Sequence, residues 1–302
     1  MFDSRSALRP VVCVGEVLWD AVPEGLHLGG APYNVAYHLA RLGRPVAMVS
    51  RVGDDVLGRE ARRRLAAGGV RDLVQTDGAL PTGFVGVALD ADGVPSYDIA
   101  GPAAWDALEP TPEATAAAAG SAAVVFGSLA QRDPRSRATV QALVAASPLA
   151  VCDVNLRPPF VDRGTVEGSL GGSDVVKLSD AELDRLAGWF GLASAPDEAA
   201  AALADRFGCR AVCVTRGADG AALWRGGRWT EHPGHAVTVR DTVGAGDAFL
   251  AGLLAAWLGG ADDASALDAA CRLGAYVAGR AGATPSYDPG EVGAPALGGG
   301  RP

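Results

Sequence analysis

The stretch DTVGAGDAFLAGLLAAWLG (residues 241–259) places a carboxylate at the end of a glycine-rich turn, directly before an apolar helical segment. A Gly-Ala-Gly turn at a helix start exposes its backbone N–H groups, and these donors and the helix dipole together bind anions. We therefore predict an anion hole at Gly244, Ala245 and Gly246, with Asp247 beside it. Asp247 is then either a helix cap or a base that takes a proton from a hydroxyl attacking a bound phosphoryl group.

Short apolar strands alternate with helical segments on both sides of this stretch. The runs VVCVGEVL (11–18), AAVVFGS (122–128) and AVCVTRG (211–217) are typical of buried strands, whereas NVAYHLARLG (34–43) has helical spacing. Continuous apolar strands separated by helices indicate a parallel sheet that is covered on both faces. The sequence therefore predicts the α/β fold class with a mostly parallel central sheet.

Two segments depart from this alternation. GEVLWDAVPEGLHLGG (15–30) and TGFVGVALDADGVPSYDIAG (82–101) each have the pattern of two strands joined by a turn. Such strand pairs predict a small second sheet that acts as a lid over a substrate. We expect one domain over residues 11–288 with these lid strands inserted, and loose termini at 1–10 and 289–302.

The composition excludes several classes of function. The formal net charge is −9, so bulk attraction to nucleic acid or to an anionic membrane is not expected. No apolar run of 18 residues occurs, and the first ten residues lack the apolar core of a signal peptide. We therefore expect a cytoplasmic protein with neither nucleic acid nor membrane as a partner.

Two common nucleotide-binding motifs are also excluded. The single lysine of the chain, Lys177, follows Val176 and therefore cannot belong to a Walker-A loop, which requires Gly-Lys-Ser/Thr. No G-x-G-x-x-G follows the first strand, which disfavours a dinucleotide-binding enzyme. Phosphates must then be bound by another local feature, such as the anion hole.

The segment GGAPYNVAYHLARLG (29–43) predicts a site for a polar ligand. Gly30 permits close approach to the backbone, and Asn34 offers both a donor and an acceptor at a helix start. Asp20 precedes this segment, and a carboxylate and an amide together suit sugar hydroxyls, which both donate and accept. The alternative is a glycine turn with an asparagine cap.

Three further motifs follow predicted strands, where ligands collect in parallel sheets. In DVNLRPP (153–159), an extended chain would place Asp153, Asn155 and Arg157 on one face, with Arg157 within reach of a phosphate or sugar oxygen. In KLSDAEL (177–183), Glu182 can hold Mg²⁺ through water, or form a capping box with Ser179.

The third of these motifs is VTRGADG (214–220). Here Thr215 and Gly217 either contact a nucleotide or form a turn. Outside these motifs, His232 and His235 of "HPGH" have the spacing of metal ligands. The sequence shows no third ligand nearby, so we expect them to be solvated loop residues.

The motifs GG-x-x-x-N, D-x-N-x-R, S-x-x-E, VTRG and DTVGAGD, in this order over roughly residues 11–288, resemble the ribokinase-like, phosphofructokinase-B type carbohydrate kinases. The segments "GEVLWD…LGGAPYNVAYHLARLG", "DVNLRPP" and "KLSDAEL" resemble the fructokinase branch most. The resemblance implies a three-layer α/β/α sandwich with a β lid. One departure concerns Ser179, because the family motif N-x-x-E is S-x-x-E here. The glutamate that serves magnesium is kept, but a contact from asparagine is lost.

The resemblance also implies a role for each matching residue. The catalytic group would consist of the base Asp247 and the anion hole Gly244, Ala245 and Gly246. The sugar-binding group would be Asp20, Gly30, Asn34 and Arg157. The ATP site would be lined by Lys177, Glu182, Thr215 and Gly217, with Glu182 serving Mg²⁺ through water. A monovalent cation such as K⁺ would lie at Asp241 and Thr242.

We therefore predict an ATP-dependent kinase for a primary hydroxyl of a small sugar, with fructose as the favoured substrate. The alternatives are a 2-keto-3-deoxygluconate kinase, a ribokinase and, from another class, a non-catalytic sugar-binding regulator. A sugar-phosphate kinase is disfavoured because neither lysine nor clustered arginine lies around residues 15–40. The lid strands carry more apolar surface than a small sheet can bury, which predicts a homodimer joined through the lids. The apolar residues concerned are Trp19, Leu26, Phe84, Val87 and Tyr97.

Overall fold

The computed structural model describes residues 9–22, 25–89 and 95–293. The strands in these ranges are β1 Val11–Val14, β2 Leu18–Val22, β3 Gly25–Gly29, β4 Val46–Gly53, β5 Arg71–Asp77, β6 Gly83–Leu89, β7 Pro95–Ile99, β8 Ala123–Gly127, β9 Ala150–Asp153, β10 Val175–Ser179, β11 Ala211–Thr215, β12 Ala221–Arg225 and β13 Arg228–His232. The α-helices are α1 Ala31–Arg41, α2 Val56–Ala67, α3 Pro112–Gly120, α4 Pro134–Ala146, α5 Arg163–Gly171, α6 Asp180–Phe190, α7 Pro196–Phe207, α8 Ala245–Leu258 and α9 Asp263–Ala278.

The larger sheet has the strand order β13-β12-β11-β10-β9-β8-β1-β4-β5 within the described ranges. Its strands are parallel from β5 to β11, and only β12 and β13 are antiparallel to their neighbours. The mostly parallel central sheet is therefore confirmed.

Helices cover both faces of this sheet, because alternate residues of each strand enter different cores. In β1, Val11 and Cys13 join a core that includes residues of α1, α2, α8 and α9, such as Leu250. Val12 and Val14 join a second core, with residues of α3 to α7. The three-layer α/β/α sandwich is confirmed.

The four remaining strands form the predicted second sheet, in the order β3-β2-β6-β7. Its base is anchored on α2, since Trp19 is only 2% exposed and its Nε1 donates to the Leu57 carbonyl at 3.1 Å. The Arg64 guanidinium also lies 4.8 Å from the Trp19 ring centre. Trp19 is thus covered by its own chain, which corrects the expectation that it contributes uncovered lid surface.

Several expectations concern residues at the edge of the described ranges. The "DADG" turn at 90–93 and the termini 1–8 and 294–302 lie outside them, as do the side chains of Val87 and Tyr97. Residues 289–293 were expected in a loose terminus, but Pro289–Val292 form a 3₁₀ turn, and Val292 is buried against α9 because it is apolar. Among the described residues, no helix is both long and apolar enough to cross a membrane.

Candidate active site

The carboxyl ends of the parallel strands and the start of α8 meet at one edge of the central sheet. Strands β9, β10 and β11 end at Asp153, Ser179 and Thr215, and their registers place these ends side by side. Ligands of open parallel sheets bind at this edge. The residues that the sequence motifs singled out collect there.

Asp247 and Asn34 form the centre of the site, although 213 residues separate them in the chain. Asn34 Nδ2 donates to Asp247 Oδ2 at 2.8 Å, and the two residues are 5% and 9% exposed. The Asn34 Oδ1 atom is buried and has no hydrogen-bond partner among the described residues. The site therefore contains a buried carboxylate with a positioned amide beside it that retains one acceptor, and the role of Asp247 as a base stays a prediction. The N-cap of α8 is Gly244, without a side-chain cap bond, so no cap bond of Asp247 is seen.

Burial raises the pKa of the Asp247 carboxyl above its ordinary value. Lys177, the hydrogen bond from Asn34 and the charge of Arg157 lower this pKa, but they only partly offset the burial. A carboxylate with a raised pKa is a better proton acceptor near neutral pH than an exposed aspartate. The electrostatics of the site thus favour a base at this position.

The predicted anion hole has a backbone that only glycine permits. Gly244 has φ 76°, in the left-handed region, and a Cβ there would collide with Ala283. A Cβ on Gly246 would come within 2.9 Å of Lys177 Nζ. The turn therefore depends on glycine at both positions, and a lysine ammonium lies beside it.

Lys177 is buried beside this turn and paired with Asp153. Its Nζ lies 3.0 and 3.1 Å from the two Asp153 carboxylate oxygens, and it is 6% exposed. Burial lowers the pKa of Lys177, but Asp153, Asp247 and Glu182 outweigh that effect and the pKa is raised. Lys177 thus supplies a permanent positive charge beside the anion hole. Its contact with ATP stays a prediction.

Glu182 caps α6, which was the alternative to a magnesium role. Its Oε2 accepts from the Ser179 N–H at 2.8 Å, and its Oε1 accepts from the Leu156 N–H at 2.6 Å. A carboxylate has about four lone-pair positions, so both oxygens can still accept from a water of a hydrated Mg²⁺. The cap is present, and the magnesium role stays a prediction.

The expectation for the DVNLRPP segment is only partly met. Asp153 ends β9, but Asn155 has φ 41°, so the chain leaves the extended conformation and the three side chains do not share one face. Arg157 is exposed, and its Nη1 donates to the Leu156 carbonyl at 3.1 Å. Its charge nevertheless lowers the pKa of Asp247, so it belongs to the electrostatic environment of the base.

Sequence reasoning did not assign a role to Glu16, which lies directly after β1 and is 2% exposed. Its Oε2 has no hydrogen-bond partner among the described residues. Burial raises its pKa to about 7, Arg157 lowers it and Asp247 raises it further. The Glu16 carbonyl also lies where a Cβ of Gly30 would be, which explains the glycine there. The sequence feature that could have indicated a role for Glu16 is the Gly-Glu pair directly after the first strand of the predicted parallel sheet.

Asp20 lies in β2, the central strand of the lid that pairs with both β3 and β6. Burial raises the pKa of its carboxyl to about 6, against a lowering effect of Arg157 and a raising effect of Asp247. Asp20 therefore shares an electrostatic environment with Asp247. Its contact with a sugar stays a prediction.

The remaining predicted residues lie around the anion-hole turn or at the end of β11. Asp241 accepts from the N–H groups of Val243 at 3.0 Å and Gly282 at 2.8 Å, and the Thr242 carbonyl accepts from the Ala245 N–H at 3.2 Å. These bonds hold the turn in place, and the cation role of Asp241 and Thr242 stays untested. Thr215 is half-buried at the end of β11, Gly217 is exposed in the turn that follows, and their contacts with a nucleotide stay predictions.

A cavity of about 1020 Å³ adjoins Asp20 and Asp241, and the fold brings four arginines to its wall. These arginines come from α1, α2 and the loop before the anion-hole turn, namely Arg41, Arg63, Arg64 and Arg240. Residues 15–40 themselves contain no clustered arginine. The fold nevertheless brings arginines from three separate segments beside Asp20.

Comparison with known proteins agrees with this arrangement. Residues 12–289 match the model of the pfkB family of carbohydrate kinases. A fructokinase of Rhizobium leguminosarum bv. trifolii is 32% identical over 262 residues, 81% of this chain and 78% of the relative. An ATP-dependent ribose-1-phosphate kinase of Halopiger xanaduensis is 33% identical over 84% of this chain and 81% of the relative.

The solved structures show the same relationship. The crystal structure of a fructokinase from Xylella fastidiosa with bound ATP matches with a TM-score of 0.79 and 28% identity. The match covers 92% of this chain and 94% of that structure. The family model spans both Asp247 and the GG-x-x-x-N motif. The chain therefore belongs to the pfkB family of carbohydrate kinases.

Proposed function

We propose that this carbohydrate kinase transfers the γ-phosphate of ATP to a primary hydroxyl of fructose. The observation that carries the proposal is the hydrogen bond of 2.8 Å between Asn34 and Asp247. It joins a residue suited to sugar hydroxyls to the carboxylate suited to deprotonate one of them. A non-catalytic regulator would not need this pair beside an open anion hole.

The chemistry of the step follows from the positions of these residues. Asp247 takes the proton of the primary hydroxyl as the hydroxyl oxygen attacks the γ-phosphorus, and Asn34 holds the carboxylate in place. The bond from the γ-phosphorus to the β-phosphate oxygen breaks, and ADP leaves. The developing negative charge on the phosphoryl oxygens is stabilised by the Gly246 N–H and by the Lys177 ammonium. These groups are fixed before the reaction, so they need little reorganisation in the transition state.

The nucleotide and the metal are part of the proposal. The Xylella fastidiosa relative was crystallised with ATP, and the anion hole of this chain suits phosphate oxygens. Mg²⁺ bound to the nucleotide would neutralise phosphate charge, and the Glu182 carboxylate would hold it through water. Asp241 and Thr242 would serve K⁺, and Thr215 and Gly217 would line the nucleotide site.

The arginine-lined cavity favours a second candidate substrate, an acidic sugar such as 2-keto-3-deoxygluconate. Its arginines include Arg41 and Arg240, and the latter forms no ion pair with any residue that the structure describes. The other two, Arg63 and Arg64, both pair with Glu60, which leaves less positive charge for a ligand. Asp20, close to the sugar, opposes a second negative charge, so the neutral sugar is favoured.

A turnover screen decides between these substrates. Purified enzyme with ATP and Mg²⁺ is tested on fructose, ribose and 2-keto-3-deoxygluconate, and ADP release is measured for each. We expect fructose to have the highest kcat/KM. Preference for 2-keto-3-deoxygluconate or ribose would reject the fructokinase assignment, and ADP release measured without added sugar gives the background for each assay.

We also propose a homodimer joined through the lid sheets. Leu26 and Phe84 are 46% and 37% exposed, and their register partners Ala21 and Trp19 place them on the same face of the lid. An apolar lid face of this kind is covered economically by the same face of a second copy. Light scattering tests this, and a mass near 30.5 kDa at micromolar concentration would reject the dimer. The cytoplasmic location stays a prediction of the sequence.

A further inference from the structure

Two histidines and an aspartate form a cluster outside the kinase site. His232 ends β13, His235 lies in the loop that follows, and Asp268 lies in α9, 33 residues after His235. The sequence shows no third ligand near the two histidines because Asp268 is distant in the chain. The packing of β13 against α9 supplies it.

The three side chains converge on one point. The Nε2 atoms of His232 and His235 lie 3.3 and 3.0 Å from the same atom, Asp268 Oδ1. A ligand atom of each residue lies within 4.8 Å of the other two, and all three residues are half-buried. In a tetrahedral site with bonds of about 2.0–2.1 Å, neighbouring ligand atoms are about 3.3 Å apart. The cluster therefore needs only small shifts to surround an ion.

We propose that His232, His235 and Asp268 bind a divalent transition-metal ion such as Zn²⁺. Two imidazoles and one carboxylate are a ligand set that suits Zn²⁺, Co²⁺ and Ni²⁺, whereas Mg²⁺ prefers oxygen ligands. The site is thus distinct in chemistry from the Mg²⁺ that serves the nucleotide. Water completes the coordination, because three protein ligands leave a fourth position open.

Metal binding changes the hydrogen bonds of the histidines. The Gly234 N–H donates to His232 Nδ1 at 3.0 Å, so in the metal-free state the neutral ring carries its proton on Nε2, which lies 3.3 Å from Asp268 Oδ1. When Nε2 binds an ion, the proton moves to Nδ1 and the bond from Gly234 is lost. One such bond is worth about a tenfold change in affinity, which the new metal bonds exceed.

The position of the cluster indicates what an ion would do. The loop between His235 and Asp241 leads into the anion-hole turn, and at its far end the N–H groups of Arg240 and Asp241 donate to the Ala278 carbonyl at the end of α9. A metal ion bound by His235 and Asp268 would link the His235 end of this loop to α9. The proposed ion therefore stabilises the segment that carries the anion hole.

Calorimetric titration with Zn²⁺ tests the proposal. Untagged, chelator-treated protein is titrated without nucleotide and in excess Mg²⁺, which occupies the oxygen sites. We expect one equivalent per chain in the wild type. His235→Ala and Asp268→Asn should each weaken binding at least about tenfold. His27→Ala, which removes a histidine outside the cluster, should bind Zn²⁺ as the wild type does.

Two measurements separate a specific site from loss of folding. Circular dichroism establishes that the variants fold, and Co²⁺ in place of Zn²⁺ gives a visible spectrum that reports nitrogen ligands. Zn²⁺ should raise the Tm of the wild type and of His27→Ala, but not that of a folded Asp268→Asn. Equal Zn²⁺ affinity in the wild type and His235→Ala, or a stoichiometry near zero in the wild type, would overturn the proposal.

Discussion

The Asn34 amide donates to the Asp247 carboxylate at 2.8 Å and so joins the first turns of α1 and α8. The bond is buried, and the second carboxylate oxygen of Asp247 is free to accept from a ligand hydroxyl. The amide oxygen of Asn34 has no partner among the described residues and can accept from the same ligand. A sugar hydroxyl placed between them would meet both a base and an acceptor.

The first prediction concerns the stability cost of Glu16. Its pKa is raised from 4.5 to about 7, so between these values the folded protein binds more protons than the unfolded chain. The free energy of unfolding of the protein therefore falls as the pH rises through this window. Glu16→Gln removes the charge and should increase the free energy of unfolding by about 3–4 kcal/mol at pH 8, at about 1.4 kcal/mol per pKa unit.

Urea unfolding of wild type and Glu16→Gln at pH 8 and at pH 4.5, without ligands, checks this. The difference should nearly vanish at the lower pH, because both side chains are then largely uncharged. An equal difference at both pH values would show that the substitution acts through packing and not through the buried charge.

The second prediction concerns the space beside the anion hole. Gly246→Ala places a methyl group 2.9 Å from Lys177 Nζ, and either the turn or the ammonium must shift. We expect kcat/KM to fall at least about tenfold, since misplacing one donor of such a hole typically costs more than that.

A matched glycine substitution controls for effects on helix stability. Gly188 lies in α6 with no atom within 4 Å of an added Cβ. Gly188→Ala should keep normal turnover and gain about 0.5–1 kcal/mol of stability. If Gly246→Ala and Gly188→Ala have the same kcat/KM, the space between Gly246 and Lys177 has no role in turnover.

The third prediction concerns sugar binding by Asp20. The ionised carboxylate accepts from sugar hydroxyls, and its pKa is raised to about 6. The Kd for fructose should therefore rise as the pH falls through about 6. In Asp20→Asn the Kd should be higher at pH 8 and should lose this step, and calorimetry from pH 5 to pH 8 measures both. A step that persists in the variant would belong to another group.

The alternation of strands and helices and the anion-hole turn could be predicted because both depend on local chemistry. Apolar periodicity identifies a covered parallel sheet, and the turn around Gly244 needs a backbone that only glycine adopts. Asn34 and Asp247 could each be predicted from their own motif. The bond between them could not, since it depends on how α1 packs against α8.

The features that sequence reasoning missed arise from such packing. Glu16 looks like an ordinary polar residue after a strand, and its burial depends on distant segments. The arginines of the cavity come from three separate segments, and Asp268 joins His232 and His235 only in the fold. Asn155 has a left-handed backbone conformation, whereas the predicted common face of Asp153, Asn155 and Arg157 assumed an extended chain. Each case requires contacts between residues that are far apart in the chain.

The central claim is that Asp247 is the catalytic base, and single-turnover kinetics of Asp247→Asn at saturating ATP and fructose test it most directly. Asparagine keeps the size of the side chain but cannot take the proton, so the phosphoryl-transfer rate should fall at least about a hundredfold. The Kd for fructose should change little, which shows that the site is still formed. A transfer rate near that of the wild type would contradict the account and leave Asp247 a structural residue.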